Sequence, residues 1–271
     1  MVWLPYVSYN IWLQFSAPVG QEHWHCDMKR GFARARKKEP LVKALFEQDT
    51  IPQHIGLLAQ RGVYEFHQDV ELLQQLNGFE KVADKLNLQN ELPEVQHRVI
   101  QILKNYQENP ILIDKNLEKL SSGDEGIPPQ IPRKQGNYHF NLFAAIDCVF
   151  RESDGTIHIL DFKTGTSNFD RRQAFVYLLA ATYLYPGEKA VASFYNLETG
   201  VWSELITATD TQLKAIQYKL AEIAQSHQKE LAIYKKNQSK FADIFPANPG
   251  IPCRSCQFSS ICQFSPVEVC A

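Results

Sequence analysis

Two periods of apolar and polar positions run through this chain of 271 residues. A period near 3.6 marks an amphipathic helix, and a period of two marks a half-buried strand. The helical period covers Val7–Phe15, with Ser8 placed as its N-cap, then Leu41–Glu47, Ile55–Leu76 and Pro93–Tyr106, which Pro110 follows as a breaker. It returns over Asp170–Tyr185, capped by Asp170 and stopped by Pro186-Gly187, and from Asp210 to about Lys236. Ile111–Leu120 opens a set of strands. Leu142–Phe150 is an apolar run with few breaks, and Thr156–Lys163 alternates until it meets two charges. Ala190–Leu197 and Val201–Ile206 flank the turn residues Glu198-Thr199-Gly200 as a second hairpin. Ser121–Gly136, rich in Pro and Gly, reads as a long loop that would border a substrate groove, because long loops inside a domain are commonly functional. The order of elements predicts an α/β fold with a mixed central β-sheet flanked by helices. The chain is read as a single domain: 1–110 mainly helical, 111–206 the sheet-bearing core, 207–271 a long helix and a cysteine-rich tail.

The most informative stretch is Leu142–Gly165. Ser153-Asp154-Gly155 joins its two strands, with Gly where a positive φ is wanted. A register symmetric about Asp154 sets Glu152 opposite Thr156 and Asp147 opposite Asp161. Directly opposed residues hold their Cβ atoms roughly 4.5–5.5 Å apart. Two carboxylates at that distance on a largely apolar sheet repel unless a proton or a cation lies between them. A hard divalent ion, Mg²⁺ or Mn²⁺, takes oxygen ligands and fits. Lys163 lies two residues after Asp161 and projects from the same face. An Asp and a Lys at the end of a strand are ordinarily just solvated. Asp147 argues otherwise, because it interrupts an apolar strand where an unpaired charge is costly. In the helix that follows, Gln173 and Tyr177 are four apart and share a face.

Composition narrows the classes. The net charge of −2 gives no global basic field, so a nucleic-acid surface would have to be local. No apolar run approaches the roughly 18 residues of a membrane span, and the N-terminus lacks the pattern of an export signal. A cytoplasmic protein without membrane contact is expected. One local concentration of charge exists: Lys29, Arg30, Arg34, Arg36, Lys37 and Lys38 surround Phe32. It is either a solvated helix face or a strip for phosphates with Phe32 free to stack on bases. Of the six cysteines, Cys253, Cys256 and Cys262 form a C-x2-C-x5-C pattern in a Pro-rich tail. Without an export signal such spacing points to a metal rather than to disulfides. A closed Zn²⁺ site or a 4Fe–4S cluster needs four thiolates. Cys270 is near in sequence, and Cys26 is remote in a His- and Trp-rich loop. Cys148 follows Asp147 and points to the opposite face, as a core residue would.

Asp147, then Asp161-Phe162-Lys163-Thr164-Gly165, then Gln173-x-x-x-Tyr177, resembles the core of the PD-(D/E)XK nuclease superfamily, in its RecB-like branch. The resemblance covers about Ile111–Leu205 and implies a restriction-endonuclease-like core. It implies a divalent-metal-dependent DNA nuclease in which Asp147, Asp161 and the Phe162 carbonyl hold Mg²⁺ or Mn²⁺ and Lys163 assists the chemistry. Gln173 and Tyr177 would orient the metal site and the DNA. This branch carries a helix histidine upstream that joins the metal shell, and His67, after Gly62, is the candidate, with His54 and Glu65 as fallbacks. A subgroup, including CRISPR-associated and AddB-type nucleases, joins one N-terminal Cys to a C-terminal C-x2-C-x5-C. By that resemblance Cys26, Cys253, Cys256 and Cys262 would hold a 4Fe–4S cluster that clasps the ends of the domain, with Zn²⁺ as the alternative. Lys29, Arg30, Arg34 and Arg36 would then track DNA. The implied activity is an exonuclease on single-stranded DNA ends in repair, recombination or defence, with repair or recombination proteins as partners. The rival is a catalytically silent nuclease fold that scaffolds a repair complex. Intact Asp147, Asp161 and Lys163 oppose that rival.

Overall fold

The computed structural model describes residues 5–46, 50–123, 126–127, 130–131, 139–165 and 169–266. The chain runs β1 (Tyr6–Ser8), α1 (Tyr9–Phe15), α2 (Asp27–Arg34), α3 (Pro40–Phe46), α4 (Ile51–Gln68), α5 (Gly78–Lys85), α6 (Pro93–Glu108) and β2 (Asn116–Leu120). It continues through β3 (Gly126–Ile127), β4 (Gln130–Ile131), β5 (Phe140–Ala145), β6 (Cys148–Arg151), β7 (Ile157–Lys163) and α7 (Arg171–Leu184). It ends with β8 (Ala190–Asn196), β9 (Val201–Trp202), α8 (Asp210–Lys236) and α9 (Phe241–Ile244). Two compact units share these elements: Met1–Asp49, Gln130–Leu142 and Gln217–Ala271 form one, and Thr50–Pro129 and Phe143–Ile216 form the other.

The second unit carries a five-stranded mixed sheet in the order β2-β6-β7-β8-β9. Only β7 and β8 run parallel; the other pairs are antiparallel. Its central strand β7 is buried through Phe162, as a strand covered on both faces must be. Leu160 and Phe162 point into the larger core, where Ile55, Leu58, Val63 and Phe66 of α4 meet Val99, Ile102 and Leu103 of α6. Asp161, between them, faces the other way, toward α7. Helices therefore cover both faces of a mixed sheet, as the order of elements predicts.

The sequence pattern misplaces several boundaries. Leu142–Phe150 is not one strand. The chain bends at Ile146–Asp147, and β5 pairs with β3 while β6 pairs with β2 and β7. The apolar run is continuous because both strands are buried, which hides the change of sheet. α4 starts at Ile51 under a Thr50–Gln53 capping box and stops at Gln68, short of Leu76. Its expected last turns form a short 3-10 turn, Val70–Leu73, and then α5, which the pattern did not announce. Gly78 opens α5 because a Cβ there would lie 1.8 Å from the Leu72 carbonyl oxygen. Within Ser121–Gly136 the described residues include the short strands β3 and β4.

In the first unit β4 pairs with β5 through Gln130↔Asn141 and Ile131↔Phe140, and the Asn141 N–H donates to the Pro5 carbonyl at 2.8 Å. α2 packs against the tail. A Cβ on Gly31 would fall 2.7 Å from Phe245, so only glycine lets α2 approach this closely. Met28, Phe32, Val42 and Phe258 form the small core there. Among the described residues, no helix is long and apolar enough to cross a membrane.

Candidate active site

The β6–β7 hairpin has the register the sequence predicts. Cys148 faces Leu160 and Arg151 faces Ile157; the ladder ends there, and Asp147, one residue before it, lies near enough to Asp161 for their charges to interact. Gly155 has φ +83°, and its N–H donates to the Glu152 carbonyl at 2.9 Å to close the turn. Asp147 stands one residue before β6, where its own carboxylate replaces a rung of the ladder. Its Oδ2 accepts the Phe162 N–H at 2.8 Å, and its carbonyl accepts the Ser121 N–H at 2.8 Å. Burial, then the charge of Asp161, push the Asp147 carboxyl well above the usual carboxylate range.

Asp161 is 3% exposed and anchors a network from α7. Its Oδ1 accepts the Tyr177 hydroxyl at 2.5 Å and the Gln173 amide at 2.9 Å. Gln173 Oε1 accepts from the Lys163 Nζ at 2.9 Å, and that ammonium lies 2.6 Å from Asp161 Oδ2 as an ion pair. Oδ2 itself is buried, with the Lys163 ammonium as its partner. Burial, followed by the neighbouring carboxylates, holds the Tyr177 phenol protonated far past neutral pH, so it serves Asp161 as a donor. Asp147, Asp161, Lys163, Gln173 and Tyr177 therefore stand together, carried by one hairpin and one helix. Two buried carboxylates close enough to repel suit a hard cation. Among the described residues, no group of three or more His, Cys, Asp or Glu side chains is arranged to hold a metal. Mg²⁺ asks for less, since one or two carboxylates with water and other oxygens hold it.

His67 is not at this site. Its Nε2 bonds the Tyr106 hydroxyl at 2.7 Å, and it lies seven residues past Gln60, ~10 Å further along α4. Gln60 takes the position expected of the histidine: its amide reaches Asp147 and donates to the Ser121 carbonyl at 3.3 Å. In the sequence Gln60 stands one helical turn after Gly56, a neutral amide that carries none of a histidine's metal-ligand signal. The fallbacks are also engaged elsewhere, His54 with Glu91 at 2.8 Å and Glu65 with Lys85 at 3.5 Å.

The basic run does not form one exposed strip. Arg30 is 4% exposed, bonded to Asp27 and Glu230, with its guanidinium 3.9 Å over the Phe15 ring. Arg34 is partly buried on Gln14 at 2.8 Å and the Tyr6 hydroxyl at 3.0 Å. Arg36 pairs with Glu39 and lies over Phe32 and Phe241. Phe32 is core, not free to stack on a base. Lys29, Lys37 and Lys38 are exposed.

The four candidate cysteines lie in the first unit, but among the described residues they are not arranged to hold a metal. Cys26, Cys256 and Cys262 pack on the core of Met28, Phe32 and Phe258, and Cys253 is buried. Cys26 Sγ accepts the Asn248 N–H at 3.5 Å, while the Asn248 amide holds the His25 carbonyl at 2.8 Å. Burial foremost raises the Cys256 thiol, with Cys26 and Cys262 near enough to add to the effect. Cys148 is fully buried in the other unit, as expected of a core residue, and Cys270 lies outside the described residues.

A family model described as the PD-(D/E)XK nuclease superfamily matches residues 33–263. Among solved structures, the chain is similar to a "Putative exonuclease" from Eubacterium rectale, with 14% identity, 89% of this chain and 81% of that chain covered, and a TM-score of 0.40. It is also similar to the protein SSO0001, with 15% identity, 88% and 94% covered, and a TM-score of 0.34. At these values neither likeness bears on fold or function. None of the curated proteins matches.

The raised Asp147 carboxyl predicts how the metal-free protein responds to pH. A carboxyl whose folded pKa is raised adds stability below its unfolded pKa, and that stability is lost as pH rises through the folded value. Thermal melts in chelator should therefore fall from the ordinary carboxylate range upward. Asp147→Asn should remove this component and melt higher at neutral pH, at about 2–4 °C for each kcal/mol in a chain of this size. A variant that melts lower than wild type across that range contradicts the electrostatic account.

Proposed function

Because the chain belongs to the PD-(D/E)XK nuclease superfamily, we propose that Asp147, Asp161 and Lys163 form the centre of a divalent-metal-dependent DNA nuclease. The observation that carries the reading is the closeness of the two aspartates at the end of the β6–β7 hairpin, with the Lys163 ammonium 2.6 Å from Asp161. Asp147, Asp161 and the Phe162 carbonyl are the proposed ligands for Mg²⁺ or Mn²⁺. Such an ion, when bound, supplies Lewis acidity toward a phosphate and lowers the pKa of water. Tyr177 and Gln173 hold Asp161 through Oδ1, and the Lys163 ammonium pairs with Oδ2. Gln60 steadies Asp147 from α4, in place of His67. Lys163 stands ready to orient the attacking water and to stabilise charge on the scissile phosphate. By family resemblance, the substrate is a single-stranded DNA end and the mode exonucleolytic, in repair, recombination or defence. The exposed lysines Lys29, Lys37 and Lys38, with partly exposed Arg36, are the part of the basic run that remains for DNA phosphates.

Cys26, Cys253, Cys256 and Cys262 are proposed to hold a 4Fe–4S cluster with a structural role. Support comes from three of these thiols packing on one small core with the fourth buried beside them in the same unit. All four are soft donors, which suits iron–sulfur or zinc and not Mg²⁺.

Lys163→Ala should lower single-turnover cleavage of a labelled oligonucleotide with Mn²⁺ by about 10²-fold or more. Its DNA affinity should stay near wild type, since one lysine is a small part of the phosphate contacts. A variant that cleaves like wild type makes the nuclease assignment untenable. Anaerobically purified protein should be brown and contain iron and sulfide. Cys256→Ala should lose both and unfold more readily, because metal binding in such sites is coupled to folding. A colourless protein with one Zn²⁺ contradicts the iron assignment.

A further inference from the structure

Beyond the residues at the carboxylates, the turn that follows Lys163 has its own fastening. Asn196 is the last residue of β8 and the parallel partner of Lys163. It is 0% exposed. Its Nδ2 donates to the Gly165 carbonyl at 3.0 Å, and its Oδ1 accepts the Glu198 and Thr199 N–H groups at 2.9 and 3.0 Å. Two donors on the oxygen and a carbonyl on the nitrogen determine which way the amide points. Next to it the Leu197 N–H donates to the Lys163 carbonyl at 2.8 Å. The Lys163–Gly165 backbone is thus fixed to the β8–β9 turn at two carbonyls. Gly165 sits at φ +78°, a conformation that needs such support. On its other side the turn runs close to α4, where a Cβ on Gly56 would be 3.4 Å from Thr164 Oγ1.

We propose that Asn196 is a positioning residue for the reaction: it fixes the backbone that carries Lys163, and so the place of the ammonium against Asp161. This rests on the nuclease reading above. Only asparagine meets all three partners at this length. Aspartate keeps the two acceptor bonds to the β8–β9 turn but turns a second acceptor on the Gly165 carbonyl. Asn196→Asp therefore severs the side-chain link to Gly165, two residues past Lys163, while leaving the Leu197 N–H bond to the Lys163 carbonyl and the hairpin's own bonds in place. Once protonated, its carboxylic acid regains a donor for Gly165.

The test measures cleavage of a labelled oligonucleotide with Mn²⁺ over a pH series, together with urea melts and DNA binding by anisotropy. For Asn196→Asp, kcat should fall by about 10- to 100-fold with KM and DNA affinity unchanged, as expected for a misplaced catalytic group. The ratio to wild type should recover as pH is lowered. Gly165→Ala, which meets no neighbour among the described residues but disfavours the positive φ, reaches the same turn from outside the β8–β9 hairpin. It should show the same loss in kcat, and Gly165→Asn, which tolerates that φ, should restore much of it. Folded variants that both cleave at the wild-type rate overturn the role. So does a loss in which kcat, affinity and melting decline together without pH recovery. An inactive wild type overturns the nuclease reading, and this role with it.

Discussion

The site depends on one unfavourable interaction, the opposition of two carboxylates across the β6–β7 hairpin. The ladder ends at Cys148, and Asp147 is held beside Asp161 by its carboxylate's bond to the Phe162 N–H. Their surroundings are arranged around that repulsion. Asp161 has a phenol, an amide and an ammonium. Asp147 has one backbone N–H and the Gln60 amide, and its carboxyl accordingly favours its proton. A divalent cation would remove both the repulsion and the need for that proton. The same strain that lowers metal-free stability thus prepares the site to bind.

The rest of the second unit serves to keep the pair in place. α7 brings Gln173 and Tyr177 to one side of the sheet, and the α4–α6 core presses Leu160 and Phe162 from the other. β8 holds the exit of β7 in parallel register and secures the turn after Lys163. The break at Ile146–Asp147 belongs to the same design. By leaving the strand there, the chain frees the Asp147 carboxylate to accept the Phe162 N–H that a regular ladder would have used otherwise.

Local chemistry made much of this legible in the sequence. The turn at Asp154-Gly155 sets the hairpin register as far as Cys148 opposite Leu160, and that brings Asp147 near Asp161. Asp170 and Pro186-Gly187 delimit α7, which presents Gln173 and Tyr177 one turn apart. What depends on distant partners was not legible. Arg30 looks like a surface charge until Glu230, two hundred residues away, is placed against it. Phe32 looks available until Phe258 and Phe241 cover it. The break in Leu142–Phe150 is invisible because two buried strands from different sheets give one apolar run. Gln60 was overlooked for another reason: an amide does not announce a metal site as a histidine does.

The most direct measurement is calorimetric titration of Mn²⁺ into chelator-stripped protein, in buffers of different ionisation enthalpy, for wild type and Asp161→Asn. The account predicts a single hairpin site in the wild type whose filling releases more protons as the pH of the titration is lowered, because the raised Asp147 carboxyl must ionise to bind, and loss of that site in the variant. Equal binding by both proteins, or binding with no proton released as the pH is lowered, would contradict it.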